Sequence, residues 1–360
     1  MDIFDKFKRT VENAVKPKNA RMQICMMGAR GVGKTSVLTS MFNDLNTASV
    51  KSSSNLLLTT MKDAKSGLDM TASIILQKHE DLRKMFDGAA KGKSIPSAGI
   101  SGDMDERSYY FQFGVKGKSA RIDLIIKDFP GEYVETHPDA VRGFIADSNA
   151  IIVAIDTPHL MEENGRFNEV KNRVSLVTDY IKSEFAHLED DKLVLFVPLK
   201  CERYQLEGRM DEVCGAVEHS YSELLDFFSN SSVKAHIAAA ITPIFTVGEV
   251  AFSDFLREES GEVKTLSIGL PARAEYVYTK TGAEYRPKYC EQPLCYLLAF
   301  VTKLYQRTKS SDTGGFMSKL AAIFRLFPDD PELLLEIGKF SKKRVKDRDG
   351  YKILTGAHLM

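Results

Sequence analysis

Short apolar runs alternate with longer stretches of helical periodicity along most of the chain. Several runs, such as 150–155, show no polar alternation, which is typical of strands buried on both faces of a sheet. We therefore predict an α/β domain. The predicted strands are 22–27, 109–115, 122–126, 150–155, 193–197 and 241–247. The predicted helices are 34–46, 140–146, 168–185, 210–228 and 293–307.

Two neighbouring strands are predicted to run in opposite directions. Only a few residues around Gly117 separate 109–115 from 122–126, and so short a connection joins strands as an antiparallel hairpin. The sheet is therefore predicted to be mostly parallel, with one antiparallel strand. A second hairpin is predicted from 263–267 and 275–278, with its turn at 269–271.

Three segments fall outside this alternation. Residues 51–107 are too long for a bare loop, so they are predicted to form a helical insert with a helix near 68–86. Residues 2–15 have one apolar face, which fits a helix packed on its own domain or lying on a membrane surface. The last segment is predicted to be a helical tail. The predicted organisation is an N-terminal amphipathic helix (1–17), a main domain (18–308) and the tail (309–360).

The tail combines helical periodicity with a cluster of positive charge. Its helices are predicted at 317–327 and 331–340. The basic run that follows is either a solvated helix surface or a site for a partner or nucleic acid. The run consists of Lys342, Lys343, Arg344, Lys346 and Arg348.

The composition narrows the class of protein. The 49 Lys and Arg residues balance 49 Asp and Glu residues, which argues against a bulk electrostatic nucleic-acid binder. No apolar run reaches the roughly 20 residues of a membrane-spanning helix. The five cysteines show no paired spacing of the kind used by zinc sites or disulfide frameworks. We expect a soluble, cytoplasmic protein with reduced thiols.

The strongest motif is GARGVGKT at residues 28–35, a complete GxxxxGK[ST] match between an apolar strand and a helix. Glycines let backbone N–H groups turn towards phosphate oxygens, and the helix directs its positive dipole end at the same anion. Lys34 supplies a charge for the β- and γ-phosphates, and Thr35 a hydroxyl ligand for Mg²⁺. The predicted fold is therefore the three-layer sandwich of P-loop NTPases. The predicted nucleotide-binding residues of this loop are Gly28, Arg30, Gly31, Val32, Gly33, Lys34, Thr35 and Ser36.

A second motif, DFPG, runs from Asp128 to Gly131 at the end of the strand 122–126. At this position Asp128 would hold Mg²⁺ through water, and the Gly131 N–H would contact the γ-phosphate. The alternative is an ordinary strand-to-helix turn, since Asp and Gly are frequent turn residues.

A third group follows the strand 193–197. Guanine presents two neighbouring N–H donors, for which a carboxylate is a bidentate acceptor, and a lysine stem can lie over the base plane. We predict that Lys200 and Glu202 contact guanine, with Val247 and Gly248 nearby. A solvated Lys–Glu pair at a strand end is the alternative.

This ordered set of motifs resembles the Ras-like, translation-factor-related class of P-loop GTPases over about residues 20–250. The segments PLKCERY (198–204) and CEQPL (290–294) further resemble the bacterial double-GTPase domains of defence and conflict gene neighbourhoods. The resemblance implies a Mg²⁺-dependent switch that binds GTP and GDP and hydrolyses GTP. It also implies a protein effector or a second GTPase-like subunit as partner.

The chain departs from that class at the base and at the metal. Leu199 and Glu202 stand where the base-reading motif usually has Asn or Thr and Asp, which leaves ATP open as the ligand. The first switch normally offers a Thr to Mg²⁺, but no Thr lies between Thr71 and residue 128. Ser97 or Ser101 would then be the ligand, and Ser101 is closer to the strand.

Glu132 stands where many relatives have a Gln that orients the attacking water. A carboxylate there would orient or deprotonate water, or slow hydrolysis by repelling the γ-phosphate. Lys34, Gly131 and Glu132 are therefore the predicted catalytic residues. Arg30 and Arg142 would stabilise charge during hydrolysis or be surface arginines in salt bridges.

Three functions are compatible with these motifs. In a GTP-hydrolysing switch, the γ-phosphate would order residues 97–107 and 131–137, and the insert 51–107 would face a partner. The second function is a nucleotide-bound scaffold with negligible hydrolysis. The third is an ATPase or a small-molecule kinase.

Overall fold

The computed structural model describes ten stretches of the chain: 20–46, 55–62, 69–89, 95–96, 106–120, 122–188, 190–229, 232–265, 272–310 and 330–360. The predicted helices 2–15 and 317–327 and the predicted turn 269–271 lie outside these residues. Ser97 and Ser101, the two candidate Mg²⁺ ligands of the first switch, lie outside them as well.

Within these stretches, eleven strands form two sheets. The strands are β1 (Ala20–Met27), β2 (Leu56–Thr60), β3 (Ile95–Pro96), β4 (Arg107–Val115), β5 (Ile122–Asp128), β6 (Ala150–Asp156), β7 (Lys192–Leu199), β8 (Ile237–Ile241), β9 (Val250–Phe255), β10 (Ala274–Tyr278) and β11 (Lys352–Thr355). The large sheet has the order β11-β8-β7-β6-β1-β5-β4-β2, and the small sheet the order β3-β10-β9. The predicted α/β class with a large, mostly parallel sheet is confirmed.

Twelve α-helices lie in the described stretches. They are α1 (Lys34–Asn46), α2 (Met70–Ala89), α3 (Tyr133–Thr136), α4 (Pro138–Asp147), α5 (Thr157–Met161), α6 (Asn168–Asn172), α7 (Val174–Phe185), α8 (Glu202–Leu206), α9 (Met210–Ser220), α10 (Ser222–Phe228), α11 (Gln292–Ser310) and α12 (Pro331–Ser341). None of them combines the length and apolarity of a membrane span.

Apolar side chains of the large sheet point alternately into two cores. In β1, Ile24 and Met26 join one core together with residues of α1, α11 and α12. Cys25 and Met27 point the other way and join residues of α4, α7 and α9. Helices thus pack on both faces of the sheet, which explains why its central strands are apolar without alternation.

The predicted hairpin of 109–115 and 122–126 is present as β4 and β5, which pair antiparallel. However, two strands run against the parallel set, because β11 also pairs antiparallel with β8. The prediction of one antiparallel strand was therefore wrong. With only four residues, β11 is too short for its hydrophobic pattern to predict a strand.

The last predicted strand, 241–247, was placed too far along the chain. The strand is Ile237–Ile241. Pro243 lies just beyond its end and has no N–H to donate to a neighbouring strand. The three consecutive alanines in β8 have weak strand propensity. Their complete burial beside β7 decides the conformation instead.

The second predicted hairpin is present only in part. Ala274–Tyr278 pairs antiparallel with Val250–Phe255, while Thr265 forms a single antiparallel bridge with Ala272. Tyr276 lies directly opposite Phe252, and their ring centroids are 6.1 Å apart. Such an aromatic cross-strand pair stabilises this register.

Two predicted helices are interrupted. Residues 168–185 form α6 and α7, because Arg173 adopts the left-handed conformation with a φ of 53°. Residues 210–228 form α9 and α10, which meet at Tyr221.

The insert and the tail both contribute strands that the sequence did not predict. In the insert, β2 pairs with β4 and extends the sheet, while α2 occupies the place of the predicted helix. In the tail, α12 forms where a helix was predicted, and β11 then pairs with the edge strand β8.

Candidate functional site

Polar residues from four strands meet at one edge of the large sheet. The strands β1, β5, β6 and β7 are parallel, so their carboxyl ends lie together. The loop 28–35, called the P-loop below, follows β1, and Asp128 ends β5 opposite Met26 of β1. Asp156 ends β6 opposite Leu199, and Lys200 comes next. This is the edge at which open α/β sheets bind ligands.

The P-loop wraps around the Lys34 ammonium group. Lys34 is 8% exposed, and its Nζ donates to the Gly28 carbonyl oxygen at 2.7 Å. Burial lowers the pKa of Lys34, although the Asp128 and Glu132 carboxylates act in the opposite direction. The three loop glycines have positive φ angles, so the chain turns here without a steric penalty.

Two side-chain oxygen atoms that could bind a metal ion face each other beside the P-loop. The Thr35 hydroxyl lies 3.4 Å from Asp128 Oδ2. Hydroxyl and carboxylate oxygens are the hard ligands that Mg²⁺ prefers, with water and phosphate completing its shell. Among the described residues no cluster of three or more His, Cys, Asp or Glu side chains could hold a metal. Thr35 and Asp128 supply two oxygen ligands of the kind that suits Mg²⁺.

The DFPG turn packs directly on the P-loop. A Cβ on Gly131 would lie only 2.1 Å from the Arg30 backbone nitrogen, so no larger residue fits in this conformation. The next residue, Glu132, forms an ion pair with Arg30, with 3.0 Å between Oε1 and Nη1. Both partners of this pair are about half exposed, so it is open to competition from solvent and from an anionic ligand.

At the other end of the site, Lys200 contacts both the P-loop and β6. Its Nζ donates to the Gly31 carbonyl oxygen at 3.1 Å and to Asp156 Oδ2 at 2.5 Å. Burial would lower the pKa of Lys200, but Asp156 and Tyr276 together outweigh burial and raise that pKa. Lys200 has a φ of 62°, a conformation that costs a non-glycine residue about 1 kcal/mol and is frequent at functional sites.

Asp156 is the centre of a buried network that the sequence analysis missed. Its Oδ1 lies 2.6 Å from His159 Nδ1, and the His159 Nε2 lies 3.0 Å from the Ala272 carbonyl oxygen. Burial would raise the pKa of Asp156, but Lys200 and His159 hold it well below its usual range. One signal pointed to Asp156: a single acidic residue ends an apolar strand at the ligand-binding edge.

Glu202 lies in the first turn of α8 and is 6% exposed. Burial raises the pKa of its carboxyl group to about 7, although the backbone N–H groups of Glu202 and Gly248 act to lower it. Gly248 has a φ of 92°, and a Cβ there would lie 1.9 Å from the Arg286 carbonyl oxygen. The structure thus brings Glu202 together with Gly248 and the adjoining Val247.

The remaining sequence-predicted residues are placed as follows. Val32 is buried in the core on one face of the sheet, so only its backbone can serve a ligand. Ser36 lies in the first turn of α1. Arg142 is on α4, where it lies 3.9 Å from Asp139 and packs over the Tyr180 ring. Arg142 therefore forms a surface salt bridge, which is one of the two alternatives stated for it above.

A further lysine missed by the sequence analysis touches the P-loop from outside. Lys171 in α6 donates from its Nζ to the Arg30 carbonyl oxygen at 2.9 Å. It belongs to no motif, so only the packing of α6 against the loop reveals it.

Comparisons with known proteins give no family. No family model matches the sequence, and no curated protein is similar to it. Among solved structures, the chain is similar to the S. cerevisiae Ski7 GTPase-like domain bound to GTP, with 15% identity and a TM-score of 0.36, over 69% of this chain and 46% of that one. It is also similar to the LeoA bacterial dynamin GTPase from ETEC, with 13% identity and a TM-score of 0.30, over 69% of this chain and 34% of that one.

The same Ski7 domain bound to GDP and inorganic phosphate has 13% identity and a TM-score of 0.36, over 75% of this chain and 50% of that one. The chain thus spans about half the length of the two Ski7 chains. Sequence identities and TM-scores this low carry no argument about the function of this chain.

Proposed function

We propose that this protein binds guanine nucleotides and hydrolyses GTP in a Mg²⁺-dependent manner, as a molecular switch. One observation carries the proposal. A P-loop lies at the carboxyl edge of the sheet between the DFPG turn on one side and the Lys200–Glu202 segment on the other. Groups suited to phosphate, metal and base therefore line one continuous edge.

At the phosphate end, each group has a distinct role. The P-loop N–H groups and Lys34 would bind the β- and γ-phosphates, and Lys34 is already held inside the loop by Gly28. Thr35 and Asp128 would hold Mg²⁺, directly or through water, and the ion would neutralise charge between the phosphates. Gly131 lies against the P-loop, and its N–H would report whether a γ-phosphate is present.

At the base end, Glu202 would accept the two neighbouring N–H donors of guanine. The Gly248 N–H already faces this carboxylate, so a base here would lie between α8 and the loop after β8. Adenine offers an acceptor in place of one of those donors, and a buried carboxylate facing it would lose a hydrogen bond. Glu202 therefore favours GTP over ATP.

The role of Glu132 decides between a switch and a scaffold. Its carboxylate forms an ion pair with Arg30. In the switch, the γ-phosphate would draw Arg30 away and free Glu132 to orient the attacking water. A scaffold with negligible hydrolysis would keep this pair intact with GTP bound.

The test compares GTP and ATP binding by the purified protein with Mg²⁺ and with a chelator, and then follows phosphate release. We expect GTP to bind at least about tenfold more tightly than ATP, and phosphate release to require Mg²⁺. Lys34→Ala should abolish binding. The matched control is Lys182→Ala on α7, where the lysine pairs with Glu223, and it should behave as the wild type.

Each part of the proposal has its own contrary outcome. A preference for ATP would contradict the assignment of Glu202 to guanine. Tight GTP binding without phosphate release would select the scaffold. The effector, the second GTPase-like subunit, the cytoplasmic location and the link to bacterial conflict stay predictions.

A further inference from the structure

In the part of the chain that the structure describes, three lysine ammonium groups donate to carbonyl oxygens of the P-loop. Lys34 and Lys200 belong to motifs that are already part of the proposed function. The third, Lys171, donates to the Arg30 carbonyl oxygen at 2.9 Å. Its Nζ would lie only 3.5 Å from a Cβ placed on Gly31. An ammonium group therefore lies directly against the Arg30–Gly31 peptide.

The two residues that follow Lys171 attach this segment to the rest of the site. Asn172 accepts a hydrogen bond from the Asp156 N–H at 2.8 Å and donates one to the Asp156 carbonyl oxygen at 3.2 Å. Arg173, in its left-handed conformation, forms an ion pair with Glu135 of α3, next to the DFPG turn. The segment 171–173 thus contacts the P-loop, the end of β6 and the helix after the DFPG turn.

Peptide geometry connects Lys171 to the ligand side of the loop. In a trans peptide the C=O and N–H bonds point in opposite directions. A cation on the Arg30 oxygen therefore holds the Gly31 N–H pointing away from Lys171 and strengthens it as a donor. We propose that Lys171 is a positioning residue of the phosphate site, which orients and polarises the Arg30–Gly31 peptide for a bound nucleotide. This inference rests on the proposed function.

The charge state of Lys171 makes the inference testable. Burial lowers the pKa of Lys171 to about 8. Three charged groups face it: the Asp156 carboxylate at the end of β6 raises this pKa, while Lys200 after β7 and Lys34 in α1 lower it. Below pH 8 Lys171 carries its ammonium charge, which supports nucleotide binding. Above pH 8 Lys171 is mainly a neutral amine, which supports nucleotide binding less.

The experiment measures the affinity of a fluorescent GDP analogue, with Mg²⁺, between pH 7 and pH 9. The proteins are the wild type, Lys171→Met and Lys171→Arg, with Lys182→Met as a control of equal chemistry on α7. We expect Lys171→Met to bind about tenfold more weakly at pH 7, because a charge-assisted hydrogen bond is lost. Lys171→Arg should bind as the wild type at pH 7, since its guanidinium stays charged throughout this range.

The decisive quantity is the ratio of wild-type to Lys171→Arg affinity at each pH. This ratio removes the changes that Glu202 and the nucleotide undergo in both proteins, and it does not depend on Lys171→Met folding well. We expect it to fall severalfold as the pH rises through about 8. A constant ratio, or unchanged binding by Lys171→Met, overturns this inference alone. A wild type that binds no guanine nucleotide overturns the proposed function as well.

Discussion

The Glu202 carboxyl group is held in an environment that favours its neutral form. Burial raises its pKa from 4.5 to about 7. The folded state therefore binds the proton more tightly than the unfolded state. Stability is lost as the pH rises between about 4.5 and 7, and the full cost persists above that range. A buried carboxylate that lowers the stability of the nucleotide-free protein is typical of a ligand-binding residue.

Glu202→Gln should therefore stabilise the nucleotide-free protein while weakening its binding of guanine. At pH 8 we expect the free energy of unfolding to rise by about 1–3 kcal/mol, and this gain should be several times smaller at pH 5. Guanine affinity should fall at least about tenfold, because the amide presents a donor to a donor. Urea unfolding at both pH values and GDP titration measure these effects.

The control for this variant is Glu207→Gln, just beyond the end of α8, where the carboxylate pairs with Arg203 and Arg209 at the surface. It should change neither property appreciably. Equal stabilisation at pH 5 and pH 8 would show that the gain does not come from the Glu202 charge.

The DFPG turn and the P-loop pack directly against each other. Their contact depends on Gly131 having no side chain, and the Arg30–Glu132 ion pair spans the same contact. Anything that separates the two elements should affect the γ-phosphate more than the rest of the nucleotide.

Gly131→Ala should force the turn away from the P-loop. We expect GTP affinity to fall at least about tenfold, because the proposed hydrogen bond from the N–H of residue 131 to the γ-phosphate would be lost. GDP affinity should stay within about twofold of the wild type. Competition of both nucleotides against a fluorescent GDP analogue gives the two values.

The matched control is Gly143→Ala on α4, where an added Cβ meets no atom within 4 Å. It should leave both affinities unchanged. Equal loss of GTP and GDP binding by Gly131→Ala would argue against a γ-phosphate contact at this turn.

The C-terminal segment is packed into the same core as the P-loop strand. Leu333, Ile337 and Phe340 of α12 join the apolar core that contains Ile24 and Met26 of β1. The helix is also tied to the insert, because Glu336 accepts a hydrogen bond from the Asn55 N–H at 2.7 Å. The site and the tail are therefore expected to unfold together, although a domain boundary near residue 308 was predicted.

Leu333→Ala should lower the free energy of unfolding of the entire chain by about 2–5 kcal/mol, since it leaves a cavity in this core. Leu335→Ala, on the same helix but with Leu335 57% exposed, is the control and should cost less than about 0.5 kcal/mol. Thermal unfolding and the release of bound nucleotide should shift together. Nucleotide release unaffected by Leu333→Ala would instead support a separate tail domain.

The local parts of the site could be predicted from the sequence, because each is a short run of neighbouring residues. The P-loop residues 28–35 act through their own backbone and lie between a strand and a helix that periodicity predicts. The DFPG turn and the hairpin before it follow from the same local rules. The α/β class follows from the alternation of apolar runs and helices.

Only the tertiary structure showed how distant residues meet. Asp156 and Lys200 become neighbours because β6 and β7 pair in parallel, and Gly248 meets Glu202 although the two are far apart in the chain. Lys171 of α6 reaches the P-loop although it lies far from that loop in the sequence. Such contacts depend on which strands pair and which surfaces become buried, a choice made by the free energy of the entire fold. Local sequence patterns do not contain that information.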